Sequence, residues 1–458
     1  MATLETNPLH QRARFITLGC RVNQYETQGM REALAGAGYA SVGRPEDSDA
    51  DNAVEVVVIN TCTVTADADK ESRYWVRRAK REHPGARIVV TGCGVQRDRH
   101  VYESMPEVDL ILHHHEKARI GEHLSAGCAR PERQLTVGRQ EYVPLEISAS
   151  EGRTRAFVKI QDGCNHACSF CKVVLVRGRS RSRTLQSILD EVKRLRDAGY
   201  CDVSFAGIQL GAYGLDFTGP PVVRLTDVLE ACSRIDGIER IRLSSIEPLD
   251  VDDALIAALR DISKCAHHLH IPLQSGDDAV LARMNRRYTS GYYAELAAKL
   301  RGAMPDFTLT ADVMVGFPGE SDTAFQNTLD LLETLVPLKC HVFPYSRREG
   351  TRAASYEDEV AESVCAVRLK QLLKKSDAWG IRAMRSYIGQ MVSLLAERSE
   401  NHNAGEEYGC YGLMSNFIKV RFDGSPVRAG ETISVRLTGV SGREMVGEKV
   451  LNFSGAPV

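Results

Sequence analysis

The chain has 458 residues, of which 43% are hydrophobic and 26% are charged, and its formal net charge is −2. This length exceeds one ordinary domain, so two or three domains with cores of normal size are expected. The near-neutral charge excludes a globally basic nucleic-acid-binding protein, so any RNA must be held by local basic patches. No apolar leader or membrane-length apolar run is present, which predicts a cytoplasmic protein with reduced thiols and no membrane partner.

Residues 11–145 alternate short apolar strands with amphipathic helices. The predicted strands are 14–18, 55–59, 87–90 and 108–112, and the predicted helices are 26–37 and 69–82, the second ended by Pro84. This alternation predicts an N-terminal α/β domain with a parallel sheet.

Residues 150–382 repeat the alternation with six strands. They are predicted at 156–160, 203–206, 241–244, 268–271, 308–315 and 340–343. Six strand–helix units are two short of a closed eight-fold barrel, so an open (β/α)6 barrel is expected. Residues 386–455 are rich in short alternating strands and glycines, which predicts a small antiparallel β-barrel.

Three cysteines lie on one short segment directly after the strand predicted at 156–160. These loop cysteines, Cys164, Cys168 and Cys171, fall where barrel enzymes place their chemistry, at the carboxyl ends of the strands. Three thiolates can hold three irons of a 4Fe–4S cluster and leave the fourth iron open to a ligand. A structural zinc site that includes His166 is the less favoured alternative, because zinc sites usually pair two short ligand clusters.

A second set of cysteines is spread along the first block. These strand-end cysteines, Cys20, Cys62 and Cys93, each follow a predicted strand. The carboxyl ends of parallel strands converge on one crevice, so the three thiols are expected to form a second cluster site. Each cysteine taken singly is more often a buried small hydrophobe, but three at equivalent positions favour the cluster.

The spacing of the loop cysteines resembles that of the radical S-adenosylmethionine superfamily. Together, the two cysteine sets resemble those of the methylthiotransferases, which insert sulfur into an unactivated C–H bond and methylate it. The segments LGCRVNQYET, INTCTVTADADKESR and RIRLSSIEP look most like the branch that acts on N6-threonylcarbamoyladenosine in tRNA. The last block resembles a TRAM domain, an RNA-binding β-barrel.

The resemblance implies which residues bind the cofactors. The loop cysteines would hold the 4Fe–4S cluster that cleaves S-adenosylmethionine to a 5′-deoxyadenosyl radical. The strand-end cysteines would hold an auxiliary 4Fe–4S cluster that carries the sulfur. Phe170 would pack on the adenine of the cofactor, and the pocket would be lined by Gly207, Gln209, Ser244, Glu247 and Gln274. Ordinary turn and cap chemistry is the open alternative for the polar residues of this pocket.

The resemblance also implies the substrate and partners. The reaction would convert N6-threonylcarbamoyladenosine at tRNA position 37 to its 2-methylthio derivative, with an electron donor and a sulfur source that the sequence does not identify. This nucleoside lies in the single-stranded anticodon loop, where a base is easily displaced into a pocket. Candidate phosphate contacts are the arginines beside the cysteine segments, namely Arg73, Arg77, Arg81, Arg177 and Arg183. A solvated charged face is the alternative for both runs.

Two other functions stay open at this stage. The same chemistry could act on isopentenyladenosine in tRNA or on a ribosomal protein, or the chain could be a non-catalytic RNA-binding metalloprotein. The chain departs from the family pattern at Lys172, Val174 and the run 113–115, where three histidines are expected to form a solvated loop. These departures remove no cluster ligand, so they bear on substrate specificity rather than on cofactor chemistry.

Overall fold

The computed structural model describes residues 11–42, 54–126, 142–150, 154–397, 410–423 and 427–450. These residues separate into two compact units. The first contains the described residues up to 150 together with 162–166 and 171–183, and the second contains the remainder. No helix in the described ranges is long and apolar enough to cross a membrane. The three predicted domain ranges stay a prediction, and residues 451–455 of the last range lie outside the described residues.

A five-stranded parallel sheet forms the centre of the first unit, in the order β2-β1-β3-β4-β5. The strands are β1 (Gln11–Thr17), β2 (Tyr39–Val42), β3 (Val56–Thr61), β4 (Arg87–Gly92) and β5 (Leu110–Ile111), and the helices are α1 (Arg21–Gly36), α2 (Ala66–Glu82), α3 (Cys93–Glu103) and α4 (Ile120–Ser125). The predicted parallel α/β sheet is confirmed. In this strand order the chain changes direction between β1 and β3, and open α/β sheets bind ligands outside the strand ends at such a switch point.

The central strand β3 shows why the sheet is covered on both faces. All six of its residues are buried. Val57 and Ile59 pack in a core with Val76 of α2, whereas Val56 packs on the other face with Met30 of α1. A strand covered on both faces needs an almost continuous apolar run, and that run is the signal by which the sequence predicts this strand.

Helix α1 begins at Arg21, five residues before its predicted start. The prediction rested on apolar periodicity, which fails in the first turns of this helix because Asn23 and Glu26 are among its buried residues. Buried polar side chains need partners, and those partners form part of the site described below.

The six predicted barrel strands are present in the second unit and match their predicted bounds to within one residue. From residue 154 the strands are β6 (Ala156–Lys159), β7 (Gln161–Asp162), β8 (Arg181–Ser182), β9 (Asp202–Ala206), β10 (Arg240–Leu243), β11 (His268–His270), β12 (Thr308–Val315) and β13 (Lys339–Pro344). The helices are α5 (Val173–Arg177), α6 (Leu185–Asp197), α7 (Leu225–Ser233), α8 (Asp253–Asp261), α9 (Asp278–Arg283), α10 (Ser290–Ala303), α11 (Asp322–Leu335) and α12 (Glu362–Arg385).

The main strands follow one another in chain order. Two three-stranded parallel sheets are present, β10-β9-β6 and β11-β12-β13. Two isolated parallel bridges join them: Ile241 of β10 pairs with Cys265, just before β11, and Ser245, just after β10, pairs with His270 of β11. This arrangement is a six-stranded parallel layer with helices between its strands, as expected for the open barrel.

Five strands among the described residues from 391 onward form a closed barrel in the order β14-β15-β16-β18-β17. Its strands are β14 (Met391–Glu397), β15 (Cys410–Leu413), β16 (Lys419–Asp423), β17 (Thr432–Ser441) and β18 (Glu444–Lys449). The predicted small barrel is confirmed, consistent with a TRAM domain, with one correction: β16 and β18 pair in parallel, whereas the other pairs are antiparallel.

The loop between β15 and β16 attaches this barrel to the beginnings of β10, β11 and β12. The Arg242 guanidinium donates to the carbonyls of Met414 at 3.1 Å and Ser415 at 3.0 Å, and it pairs with Asp202 at 3.0 Å. The ring of Phe417 stacks on His268 with centroids 4.4 Å apart. Because these contacts lie where the strands begin, the small barrel is fixed at the end opposite to the strand ends that carry the candidate cofactor residues.

Candidate metal and cofactor sites

The strand-end cysteines lie at the carboxyl ends of three adjacent strands of the first unit. Cys20 is the N-cap of α1, shortly after β1; Cys62 follows β3 directly; and Cys93 begins α3 directly after β4. Cys62 and Cys93 are buried, and Cys20 is exposed. The set therefore spans the switch point of the sheet, where a ligand is expected to bind.

The pKa shifts of Cys62 and Cys93 indicate that these two thiols share one neighbourhood with Cys20. Burial raises the pKa of Cys62 to about 11, and the charges of Cys93 and Cys20 add to this effect. Burial also raises the pKa of Cys93, while the Arg177 guanidinium opposes that rise. A thiol that burial keeps protonated becomes a thiolate when a metal or a cation compensates its charge, so this set suits a metal cluster.

Two glycines create the room that this arrangement needs. Gly19 has φ +87°, and a Cβ there would lie 2.6 Å from the sulfur of Cys62. Gly92 has φ +100°, and a Cβ there would lie 2.4 Å from the carbonyl oxygen of Thr61. Side chains rarely adopt this backbone region, so both strand-to-cysteine turns depend on glycine.

A buried polar network supports these strand ends. The Arg177 guanidinium, which follows the loop cysteines in the chain, donates to Glu26 Oε1 at 2.9 Å, to Asn23 Oδ1 at 2.8 Å and to Asp162 Oδ1 at 3.1 Å. The Lys117 ammonium also pairs with Glu26.

Amide side chains connect this network to the strands. Asn23 Nδ2 donates to the carbonyls of Leu18 at 2.7 Å and Thr61 at 3.0 Å, and Asn60 Nδ2 donates to the carbonyl of Asn23 at 2.9 Å. The network thus ties the residues beside Cys20 and Cys62 to the segments 162–166 and 171–183, which carry Cys164 and Cys171. Sequence reasoning missed these residues, because their polarity is typical of a surface and their partners are distant in the chain.

The burial of Arg177 and Arg183 contradicts their predicted role as phosphate contacts. Arg177 is 3% exposed and Arg183 is 1% exposed, and Arg183 donates to the hydroxyl of Tyr25 at 3.2 Å. Both guanidinium groups are occupied inside the first unit, so neither can neutralise an RNA phosphate in this conformation. Arg73, Arg77 and Arg81 lie on α2, where Arg77 and Arg81 are exposed and Arg73 is partly buried.

The run of histidines is not a solvated loop throughout. His115 is exposed, but both ring nitrogens of His114 are buried and have no hydrogen-bond partner in the described ranges. Burial holds the pKa of His114 well below its usual value, so this ring is neutral. The expectation was wrong at His114 because this residue begins a short 3-10 turn whose Lys117 reaches the buried Glu26.

Backbone groups of the first unit approach two of the loop cysteines. The sulfur of Cys164 accepts the backbone N–H of His166 at 3.3 Å, and the sulfur of Cys171 accepts that of Val173 at 3.4 Å. Hydrogen bonds to sulfur tune the potential of protein-bound iron–sulfur clusters, so this geometry suits cluster ligands.

Arg286 contacts the third loop cysteine within the second unit. Its Nη1 donates to the sulfur of Cys168 at 3.3 Å and to Glu247 Oε1 at 3.3 Å, and its side chain is 4% exposed. Although burial opposes the charge, Tyr288, Glu247 and Cys168 together raise the pKa of Arg286 above its usual value. Sequence reasoning found Glu247 and missed Arg286, whose only signal was a pair of arginines after a short helix.

Two of the predicted pocket residues carry buried polar atoms without hydrogen-bond partners among the described residues. They are the hydroxyl of Ser244, after β10, and the amide oxygen of Gln274, after β11. Gln274 also has φ +67°. An unpaired buried polar atom costs about 1–3 kcal/mol, so both atoms are suited to a polar ligand.

The other predicted pocket residues lie in the same unit. Gln161 Oε1 accepts the backbone N–H of Gln209 at 2.8 Å, and a Cβ at Gly207 would lie 2.9 Å from that same oxygen. The ring of Phe170 meets that of Phe317 edge-on at 6.4 Å. Strand-end residues with free polar atoms and an aromatic ring fit an adenosine-containing cofactor, and their binding roles stay a proposal.

The cysteine sets do not fit a single metal ion. In the described part of the chain, no three thiol, imidazole or carboxylate groups converge closely enough to hold one ion. A zinc ion needs its ligands around one centre, whereas a cluster accepts one thiolate on each separate iron.

Comparison with known proteins agrees with this chemistry. The Radical SAM superfamily model matches residues 158–332, and the model of the uncharacterized protein family UPF0004 matches residues 12–113. The threonylcarbamoyladenosine tRNA methylthiotransferase MtaB of Bacillus subtilis is 37% identical over 92% of this chain and 93% of its own length. The chain belongs to the radical S-adenosylmethionine methylthiotransferase family.

Further relatives of this methylthiotransferase differ in their named substrates. The MtaB enzyme of Thermotoga maritima is 34% identical over 93% of this chain and 94% of its own length. The tRNA-2-methylthio-N(6)-dimethylallyladenosine synthase of Pelotomaculum thermopropionicum is 31% identical over 96% of this chain and 98% of its own length. Both substrate branches are therefore related to it over nearly the whole chain.

Among solved structures, the radical S-adenosylmethionine methyltransferase TsrM of Kitasatospora setae aligns with a TM-score of 0.51 at 14% identity, over 75% of this chain and 77% of that chain. This likeness concerns the fold. As a member of its family, the methylthiotransferase is an enzyme that uses S-adenosylmethionine and two 4Fe–4S clusters.

Proposed function

We propose that this enzyme converts N6-threonylcarbamoyladenosine at tRNA position 37 to its 2-methylthio derivative. The observation that carries the proposal is identity of 34–37% over nearly the whole chain with four enzymes named for threonylcarbamoyladenosine, against 30–33% with four named for dimethylallyladenosine. The branch-specific segment LGCRVNQYET supplies Asn23 and Glu26 to the buried network, so this resemblance concerns residues beside the site.

The residues of the chain have separate tasks in this reaction. When bound, S-adenosylmethionine and the clusters supply a methyl group, a 5′-deoxyadenosyl radical and the sulfur that is transferred. The strand-end cysteines and the loop cysteines are the proposed cluster ligands. Ser244 and Gln274 offer unpaired polar atoms to the cofactor, and Arg286 holds Glu247 in place. Ser244 and Gln274 are buried, which keeps bulk water away from the polar atoms that they offer to the cofactor.

The RNA partner is a tRNA bound at its anticodon loop. Arg73, Arg77 and Arg81 are the proposed phosphate contacts, since the burial of Arg177 and Arg183 removes them from this role. Cleavage of S-adenosylmethionine needs an electron, and the product gains a sulfur atom, so an electron donor and a sulfur source act with the enzyme. Reduced clusters and tRNA occur together in the cytoplasm, where we place the activity.

Dimethylallyladenosine is the second candidate substrate, because the enzyme of Pelotomaculum thermopropionicum matches almost the whole chain. A competition experiment separates the two. The reconstituted enzyme is given an equimolar mixture of one tRNA that carries threonylcarbamoyladenosine and another that carries dimethylallyladenosine, and the nucleosides are analysed by mass spectrometry. The proposal predicts 2-methylthio product on the first tRNA. Product on the second tRNA alone would overturn the substrate assignment and leave the chemistry intact.

A further inference from the structure

Helix α2 carries an exposed stripe of four residues along one side. This α2 stripe consists of Lys70, Tyr74, Arg77 and Arg81, spaced by four, three and four residues, which places all of them on one face of a helix. All four are exposed, and Tyr74 has 49% of its surface open to solvent. An aromatic ring thus lies in the middle of a row of three cations.

The stripe keeps an excess of positive charge. Elsewhere on α2, Arg78 pairs with Glu82 at 2.6 Å and Lys80 pairs with Asp109 at 3.4 Å. Lys70 pairs with Asp67, but both side chains are largely exposed, so that pair is screened by water. Across the described ranges, Arg77 and Arg81 form no ion pair. Their two charges are available to an anionic partner.

Tyr74 is held in position without being covered. Its ring meets the ring of Trp75 edge-on at 5.8 Å, and its hydroxyl accepts a hydrogen bond from Arg78 at 3.4 Å. Aromatic rings that stay open between cations are the platforms on which RNA-binding proteins stack unpaired bases.

The opposite face of α2 anchors the turn that contains Cys62. The hydroxyl of Ser72 accepts the backbone N–H of Cys62 at 3.3 Å and donates to the carbonyl of Ala68 at 2.7 Å, with the carbonyl oxygen of Cys62 3.2 Å away. The stripe therefore lies on the outer face of the same helix that fixes a proposed cluster ligand.

We propose that Tyr74 stacks on an unpaired base of the RNA substrate, while Arg77 and Arg81 bind the phosphates beside that base. This inference rests on the proposed function and adds the residue that distinguishes unpaired RNA from duplex. The partner is RNA rather than an acidic protein, because single-stranded RNA offers both an unpaired base with the flat surface that suits Tyr74 and regularly spaced phosphate charges that suit the arginines.

The proposal is tested by measuring the affinity of the enzyme for two RNAs of equal length and charge. One is an anticodon stem–loop and the other is a fully paired duplex. Tyr74→Ala should weaken binding of the stem–loop about 5- to 150-fold without a change in the salt dependence, whereas Tyr74→Phe should stay within about twofold of wild type. Duplex binding should not respond to either change. Replacing Arg77 and Arg81 by Ala should lower the salt slope by about 0.7 for each lost phosphate contact.

Exposed residues on α12 provide matched controls. Val367→Ala removes an apolar side chain that is 65% exposed, and the double change of the exposed Lys370 and Lys374 to Ala removes two cations. Neither control should alter stem–loop affinity or its salt slope.

Three outcomes would overturn the proposal. Tyr74→Ala could bind the stem–loop with unchanged affinity, as expected if the stripe binds a protein. Tyr74→Ala could also weaken the binding of both RNAs equally, or it could lower the salt slope of binding. Product formation by the wild-type enzyme is measured in parallel. If product forms while Tyr74→Ala binds normally, the stripe assignment fails alone; if the wild type binds RNA and forms no product, the proposed function fails.

Discussion

Gly19 precedes Cys20 and has no side chain, and this makes room for the sulfur of Cys62. A Cβ at Gly19 would lie 2.6 Å from that sulfur. Gly19→Ala should therefore displace Cys62 and remove the auxiliary cluster, so that iron per chain falls by about half. Cleavage of S-adenosylmethionine to 5′-deoxyadenosine should persist, because the loop cysteines are untouched. Iron analysis and 5′-deoxyadenosine assays measure both effects.

Gly38 provides the control for backbone strain. It has φ +91°, close to the +87° of Gly19, but a Cβ there would meet nothing within 4 Å. Gly38→Ala carries the same conformational penalty, about 1–2 kcal/mol, without the clash. It should keep its full iron content. Equal iron loss in both variants would mean that strain rather than the position of Cys62 is responsible.

Arg286 should matter for cofactor cleavage rather than for the auxiliary cluster. Arg286→Met leaves Glu247 unpaired and removes the donor to Cys168. Breaking a largely buried ion pair costs about 3 kcal/mol or more, which corresponds to a loss of about 100-fold if it falls on the cleavage step. Formation of 5′-deoxyadenosine by Arg287→Met, which changes the exposed neighbour, should match wild type. A normal rate in Arg286→Met would exclude this role.

At the level of elements, the network around Arg177 joins α1 to the segments that carry Cys164 and Cys171. Arg177 and Glu26 are both 1% exposed at their side chains, so Arg177→Met should cost about 3–5 kcal/mol. Both cysteine sets remain, but their supporting segments lose their common anchor. We expect 5′-deoxyadenosine to form while thiomethylated product falls, so the ratio of product to 5′-deoxyadenosine drops.

The exposed Arg179 provides the control, because it lies two residues from Arg177. Arg179→Met should keep the wild-type ratio. Limited proteolysis of the metal-free proteins gives an independent readout, with faster cleavage expected within 162–183 only for Arg177→Met. A ratio that stays constant in Arg177→Met would show that the network does not couple the two sites.

The strands and this network show which features of the structure can be predicted from the sequence. Apolar periodicity predicted the six barrel strands to within one residue, because a strand covered by helices must be apolar throughout. It missed the start of α1 and the burial of Arg177, since Glu26 lies 151 positions from Arg177 in the chain. Cysteine spacing predicted both candidate cluster sites, whereas Arg286 and Tyr74 became apparent only when burial and partners were known.

For the whole molecule, the attachment of the small barrel depends on a buried ion pair. Asp202 and Arg242 are 0% and 3% exposed at their side chains, and Arg242 also holds the loop of the small barrel. Asp202→Asn leaves this guanidinium without its counter-charge and should lower the stability of the second unit by about 3–5 kcal/mol. Deleting the small barrel would uncover the same pair, so point variants in its strands are the cleaner test of whether the small barrel binds RNA.

Tryptophan fluorescence measures this loss during urea unfolding. The chain has two tryptophans, Trp75 in the first unit and the buried Trp379 in the second, so a Trp75→Phe background reports the second unit alone. Asp261→Asn, which breaks an exposed pair with Arg260, should leave the midpoint unchanged. A midpoint for Asp202→Asn that equals this control would refute the attachment by Arg242.

The central claim is that this methylthiotransferase acts on threonylcarbamoyladenosine in tRNA. Mass spectrometry of tRNA nucleosides from cells that lack the gene tests it most directly. We expect that 2-methylthio-N6-threonylcarbamoyladenosine disappears, that its unthiolated parent accumulates, and that wild-type protein restores the product while Cys62→Ala protein does not. Persistence of that nucleoside, with loss of the 2-methylthio form of dimethylallyladenosine instead, would contradict the account.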